Sequence, residues 1–281
     1  MAEDQDEFTA GDNPSNELSE EEQRDVGRRK TGSARVVHEV IRLQGEDELS
    51  RPWLSLLLSG LAAGVAITAS VLGEALLAMD LPATKSGTLL ASFGYALGFL
   101  IVIMGKLQLF TENTVTAVLP LVTHFTRRNI ARLARLWAVV LLGNLAGTLL
   151  VAVLIAQQII VSAAQFEAVM TLAQRLASHD AVTVLWLGMP AGFLVASIAW
   201  IMPNARSSEF WIILSLTFLI ALGGFSHVVA GSCEAWLLWL TGAKTLGWTL
   251  GGFIAPALIG NIIGGTGLFA LLAHGQVRGE I

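Results

Sequence analysis

The 281-residue chain is poor in cysteine (one), proline (seven), tyrosine (one) and charge, with only 14% charged residues. A soluble domain carries about 25%. A single cysteine excludes a disulfide framework and a Cys-based metal centre. Scarce charge with 54% apolar residues excludes a disordered chain and argues against an ordinary soluble enzyme. No His-Glu-x-x-His motif and no pair of aspartates inside an apolar run occurs. The Ser226-His227 neighbours do not make a nucleophile–base pair, because adjacent side chains rarely aim at each other. An enzyme, a cofactor, a metal and a nucleic-acid partner are therefore not expected.

The net charge of −5 divides unevenly. Residues 1–51 hold 14 of the 22 acids and 7 of the 17 bases, whereas residues 52–281 are net +2. Residues 1–32, few of them large and apolar, read as a disordered acidic tail. No apolar stretch follows a basic start, so the tail is not a signal peptide. Over 33–51, Val36, Val37, Val40, Ile41 and Leu43 share one side of a helix among charged residues. That pattern predicts an amphipathic helix at a membrane surface or against the bundle.

A membrane-crossing helix needs about 20 apolar residues. Six stretches qualify: 53–79, 88–123, 133–158, 181–202, 209–240 and 249–273. The second and fifth are too long for one simple crossing. Each is interrupted, one by Gly105-Lys106-Leu107-Gln108-Leu109-Phe110-Thr111 and the other by Gly223-Gly224-Phe225-Ser226-His227. Six crossings place both termini, including the short segment 276–281, on one side of a transmembrane domain over 52–275. Of the 17 bases, 13 fall on that side, with Arg127, Arg128, Arg132 and Arg135 clustered there. The positive-inside rule makes that side cytoplasmic. The expected location is the bacterial inner (plasma) membrane.

Gly143-Asn144-Leu145-Ala146-Gly147 and Gly260-Asn261-Ile262-Ile263-Gly264 share a G-N-x-x-G pattern 117 residues apart, and Phe110 and Phe225 are 115 apart. The chain therefore reads as two copies of a three-helix unit. An odd number of crossings per copy inverts one against the other, the arrangement in which paired broken helices meet near the midplane. The glycines suit close helix packing, and Asn144 and Asn261 suit interhelical hydrogen bonds. Thr111 is expected to cap the second half of span 2 by accepting from the Asn113 or Thr114 N–H. Two half-helix N-termini facing the midplane attract anions. Lys106 and His227 beside the breaks are ionisable groups within spans, hence functional candidates. Lys106 fits three roles equally: attracting anions, snorkelling, or pairing with Glu112.

At these residues the chain resembles the formate/nitrite transporter family. The matching pieces are Leu109-Phe110-Thr111 with Asn113-Thr114, Trp137…Gly143-Asn144-Leu145…Gly147, Gly224-Phe225-x-His227-x-Val229-Ala230, and Gly260-Asn261-Ile262-Ile263-Gly264-Gly265. The resemblance covers roughly residues 50–275. It implies an all-α, aquaporin-like membrane fold of two inverted repeats with helices 2 and 5 broken. It also implies a homopentamer with one pore per protomer, passing small monovalent anions such as formate, nitrite, lactate or hydrosulfide, or their neutral acids. By the same resemblance Thr111 and His227 form the central polar pair, and Leu109 and Phe110 belong to an apolar constriction. Departures mark a divergent branch: Gln108 and Ser226 stand where glutamate is common. Ala191-Gly192-Phe193 replaces an asparagine-bearing stretch of span 4, which also lacks a pore-side lysine.

The expected solute pathway comprises His227, Thr111, Lys106, Glu112, Ser226 and Asn113. The expected constriction adds Phe225 to Leu109 and Phe110. Tyr95 and Phe99, at i and i+4, are candidates to gate the cytoplasmic side or to be a packed stripe, and Phe218 is similarly open. His227 reads either as a hydrogen-bond tie or as a proton donor, since imidazole titrates near pH 6.5. Two other functions stay in view. An aquaporin-like channel for neutral solutes is disfavoured, because neither break holds Asn-Pro. A non-conducting scaffold is suggested by the altered span 4.

Overall fold

A computed structural model describes residues 32–279. The expected disordered tail, apart from Gly32, lies outside the described residues, as do residues 280–281. The described chain is helical, and Ser33 caps α1, Ala34–Ser50, by accepting from the Val36 N–H. The amphipathic helix expected there is present, but its docking face is rotated. Val37, Ile41, Gly45 and Leu49, spaced at i+4, are buried, while Val36 and Leu43 face outward. Gly45 lies against the carbonyl of Thr116, too close for any side chain.

The first crossing is α2, Trp53–Asp80. The second starts as α3, Lys85–Ala91, passes through a 3₁₀ turn over Ser92–Tyr95, and ends as α4, Ala96–Met104. Beyond its break only a 3₁₀ turn, Glu112–Thr114, and a short α5, Leu119–Thr123, follow. The third crossing is α6, Arg127–Ala156. It begins six residues earlier than expected, so the arginine cluster forms its first turns rather than a loop. Arg132 and Arg135 donate to the Leu49 carbonyl at 3.3 and 2.9 Å, and Arg135 to the Arg51 carbonyl at 3.0 Å. Cations there complete the open C-terminal carbonyls of α1.

The 159–180 connection contains α7, Ala163–Leu176, a helix absent from the sequence reading. Ser162 and Gln165 form a reciprocal capping box at its start, and Val169, Met170, Leu172 and Ala173 bury its inner face. The fourth crossing is α8, Ala181–Ile201. The fifth is α9, Glu209–Leu222, then a break, then α10, Val228–Leu240. The sixth runs continuously from Leu246 to Val277. It comprises α11, Leu246–Trp248, a π turn, α12, Ala255–Ile262, a second π turn over Ile263–Ala270, and α13, Leu271–Val277.

Six crossings in two inverted halves, with the second and fifth broken, are thus the architecture. In one half α2 packs along α6; in the other α8 packs along α12 and the π turn after it. Glycine permits both approaches. A Cβ on Gly64 would run into the Asn144 carbonyl oxygen, and one on Gly264 into that of Met189. Each broken crossing lends its second half to the opposite helix pair: α10 lies on α6 and α2, and the Glu112–Thr114 turn lies on α8 and the second π turn.

Candidate functional site

Both breaks are built the same way. In the first, the Lys106 N–H reaches the Ile103 carbonyl and the Leu107 N–H that of Val102; in the second, Gly224 reaches Ala221 and Phe225 reaches Ile220. These are Schellman terminations with a left-handed residue at the turn. That residue is Gly224 (φ +61°) in one and Lys106 (φ +53°) in the other.

A single asparagine holds each broken backbone. Asn144 Oδ1 accepts from the Phe110 N–H at 2.9 Å, and Nδ2 donates to the carbonyls of Gly60 and Gln108 at 2.8 Å each. Asn261 repeats this on the Val228 N–H at 2.9 Å and on Gly188 and Ser226 at 2.8 Å each. The two asparagines are thus interhelical hydrogen-bond formers, and both are fully buried. The bonds also correct the repeat register. Phe110 matches Val228, and Leu107 matches Phe225, an offset of 118 residues; Phe110 and Phe225 are not equivalent.

The breaks place Thr111 against His227. Thr111 Oγ1 and His227 Nε2 are 2.8 Å apart, with both residues buried. Thr111 therefore makes no cap, contrary to expectation, since its side chain bonds no N–H of the following turn. His227 is the cap instead: its Nδ1 accepts from the Ala230 N–H at 3.1 Å, opening α10. That bond fixes the tautomer. With Nδ1 an acceptor, the ring proton is on Nε2 and points to Thr111 Oγ1, which leaves the threonine O–H free to donate elsewhere. The edge of the Phe99 ring closes on the imidazole at 5.0 Å between centroids.

A cavity of about 310 Å³ reaches His227, Ser226 and Phe225 from the side opposite the chain termini, where α7 lies. Tyr95 lines it, and its ring sits 5.3 Å from Phe99. Tyr95 accordingly faces this side, not the side of the termini, while Phe99 does not line the cavity and packs between Tyr95 and His227. Glu74, Arg175, His179 and Glu234 also line the cavity, and the sequence reading missed all four. They come from different elements, and no local motif joins them.

Other expected pathway residues lie on the far side of the breaks. Asn113 Nδ2 donates to Gln108 Oε1 at 3.0 Å, and the Asn113 carbonyl accepts from Trp137 at 3.2 Å. Gln108 in turn donates to Glu48 of α1 at 2.8 Å. Glu112 is within electrostatic reach of Lys106 and Glu48, and Lys106 is exposed. Leu109 and Phe110 are buried, Phe110 edge-on to Trp137 at 5.7 Å. Phe218 stacks on half-exposed Phe93 at 4.3 Å and does not line the His227 cavity.

A model of the formate/nitrite transporter family matches residues 35–275. Inner membrane protein YfdC of Escherichia coli (strain K12) is 39% identical over 250 residues, 88% of this chain and 80% of that protein. The uncharacterized transporter YrhG of Bacillus subtilis (strain 168) is 28% identical over 242 residues, 82% of this chain and 89% of that protein. Among solved structures, a pentameric formate channel with formate bound matches with a TM-score of 0.68 at 21% identity, over 81% of this chain and 98% of that one. An FNT family ion channel matches at 0.67 and 19% identity, over 88% and 97%.

Proposed function

We infer the function from one premise: the chain belongs to the formate/nitrite transporter family. It is a transmembrane pathway for small monovalent anions, or their neutral weak acids, and not an enzyme. It sits in the inner membrane with both termini cytoplasmic and assembles as a homopentamer with one pore per protomer. The observation that carries this reading is the buried Thr111–His227 pair at the meeting of two broken crossings, with a cavity leading to it.

An anion crossing an apolar constriction loses several kcal/mol of hydration, and a neutral acid avoids most of that loss. At the pair the solute accepts a hydrogen bond from the Thr111 hydroxyl, which His227 Nε2–H orients. In this tautomer the imidazole holds one proton, and releasing it would leave an imidazolate. His227 is thus a hydrogen-bonding and positioning group, and a proton acquired by the solute comes from elsewhere.

Uptake of formate, nitrite and glycerol into proteoliposomes across pH tests the reading. Wild type is expected to pass the weak-acid anions with flux rising on acidification. His227→Ala and Thr111→Ala are each expected to reduce flux about tenfold, in line with the roughly 1–3 kcal/mol cost of leaving a buried hydrogen-bonding partner unmatched. Flux equal to empty liposomes for both anions would refute it, and glycerol passage alone would favour the neutral-solute channel.

A further inference from the structure

The cavity that reaches His227 carries charge of its own. Glu74 of α2 and Glu234 of α10 both line it, as do the exposed Arg175 of α7 and the following His179. Glu234 is seven residues after His227, so the carboxyl stands two turns along the same face of α10. Glu74 acts electrostatically on Glu234, and Arg175 on both. Among the described residues neither carboxylate has a hydrogen bond or ion pair.

The hydroxyls of two largely buried residues also open onto this space. Tyr95 is 8% exposed and Ser226 9%, both line the cavity, and among the described residues neither side-chain hydroxyl has a partner. A cavity-lining hydroxyl without a protein partner is a donor and acceptor open to water or a small polar solute. The charge balance is the second pointer. Two carboxyls facing one guanidinium leave one negative charge without a counter-ion, and a proton held between them removes it.

We propose that Glu74 and Glu234 share a proton across this cavity and deliver it to a weak-acid anion drawn in by Arg175, before the solute reaches the Thr111–His227 pair. The step balances within the cavity. A carboxylic O–H bond breaks, an O–H bond forms on the anion, and the carboxylate left behind is reprotonated by hydronium from the same side. Tyr95 and Ser226 supply hydrogen bonds to the solute or the intervening water. This rests on the function inferred above and deepens it, because it names the source of the proton that His227 does not release.

The test uses the full-length protein in lipid, with two readouts. Infrared difference spectra at neutral pH are expected to show the carbonyl stretch of a protonated carboxylic acid, lost in Glu74→Gln/Glu234→Gln and retained in Glu234→Asp. Formate uptake in the double variant is expected to fall about tenfold or more, the scale of an acid–base step, and to lose its rise on external acidification. Glu234→Asp is expected to keep the pH profile, which separates proton delivery from packing. Arg175→Gln is expected to raise the formate KM while leaving the carboxyl band in place. A wild type without the band, or a double variant with the wild-type pH profile, overturns the proposal. If wild type passes no formate at any pH, the function inferred above fails, and the band alone decides whether the pair holds a proton.

Discussion

Lys106 occupies a left-handed backbone conformation at the place where the other break has glycine. A side chain there costs roughly 1–2 kcal/mol, partly offset by the lower entropy of the unfolded chain. Lys106→Gly is therefore expected to stabilise the folded protein by about 0.5–1 kcal/mol, read by thermal unfolding. If formate flux falls while stability rises, the ammonium serves the pathway; if flux is unchanged, anion attraction by Lys106 is refuted. Residue by residue, legibility in the sequence followed locality. His227 and Thr111 stand beside glycine-marked breaks in apolar runs, so they were visible. The bond between them crosses 116 residues, and only the fold supplies it. It also takes Thr111 away from its expected capping role. Glu74 and Glu234 escape a sequence reading because each is a single charged residue within an apolar helix, and nothing near either in sequence announces the cavity they share with Tyr95.

The elements that interrupt the membrane crossings depend on their asparagine brackets. Asn144→Ala or Asn261→Ala leaves one N–H and one loop carbonyl unsatisfied in the core, Phe110 and Gln108 in one break, Val228 and Ser226 in the other. At about 1 kcal/mol or more per group, each change is expected to cost about 2 kcal/mol or more, measured by denaturant titration in mixed micelles. A loss below 1 kcal/mol would show that the breaks hold without the bracket. Asparagine in a G-N-x-x-G run was readable as a helix-packing signal, and the pattern predicted bracketing contacts between helices. Which backbone atoms they bind was not readable, nor was the three-residue error in matching the breaks, because aligned phenylalanines are a weaker guide than hydrogen-bond register. The second half of span 2 was expected to be a helix opposite α10. It is mostly turns, so the paired-dipole argument holds in full only at the start of α10. The sequence Ser162-x-x-Gln165, followed by apolar residues at helical spacing, was a legible start for α7, hidden by attention to longer runs.

On the scale of the whole molecule, α1 ties the two halves together. It packs on α5 and α6 of one half and on α8 and α13 of the other, and Gly32 exchanges bonds with Asn204 at 3.2 and 3.1 Å. At its centre His38 Nε2 meets His274 Nδ1 at 3.1 Å, beside Trp200. Burial first, then the His274 imidazole, holds His38 below the usual histidine range. A depressed histidine stays neutral while its undocked form binds a proton, so docking is at full strength above about pH 6.5 and weakens as pH falls below it. Hydrogen-exchange protection over 34–50, taken relative to the intrinsic rate at each pH, is expected to fall between neutral pH and pH 5 in wild type, and much less in His38→Gln. Equal pH dependence in both would remove His38 from that role. The six crossings and their inversion were legible, since apolar length and parity fix them. The docking face of α1 was not, because two apolar arcs compete and only the bundle chooses. One consequence reaches beyond this chain. Each break is fastened by an asparagine on a neighbouring helix, so the residues inside it do not have to hold their own backbone in place. Leu-Phe-Thr on one side and His-Val-Val on the other occupy matching positions with nothing in common. Mutation can rewrite the chemistry at the centre of such a pore one copy at a time, while the frame inherited by both copies stays fixed.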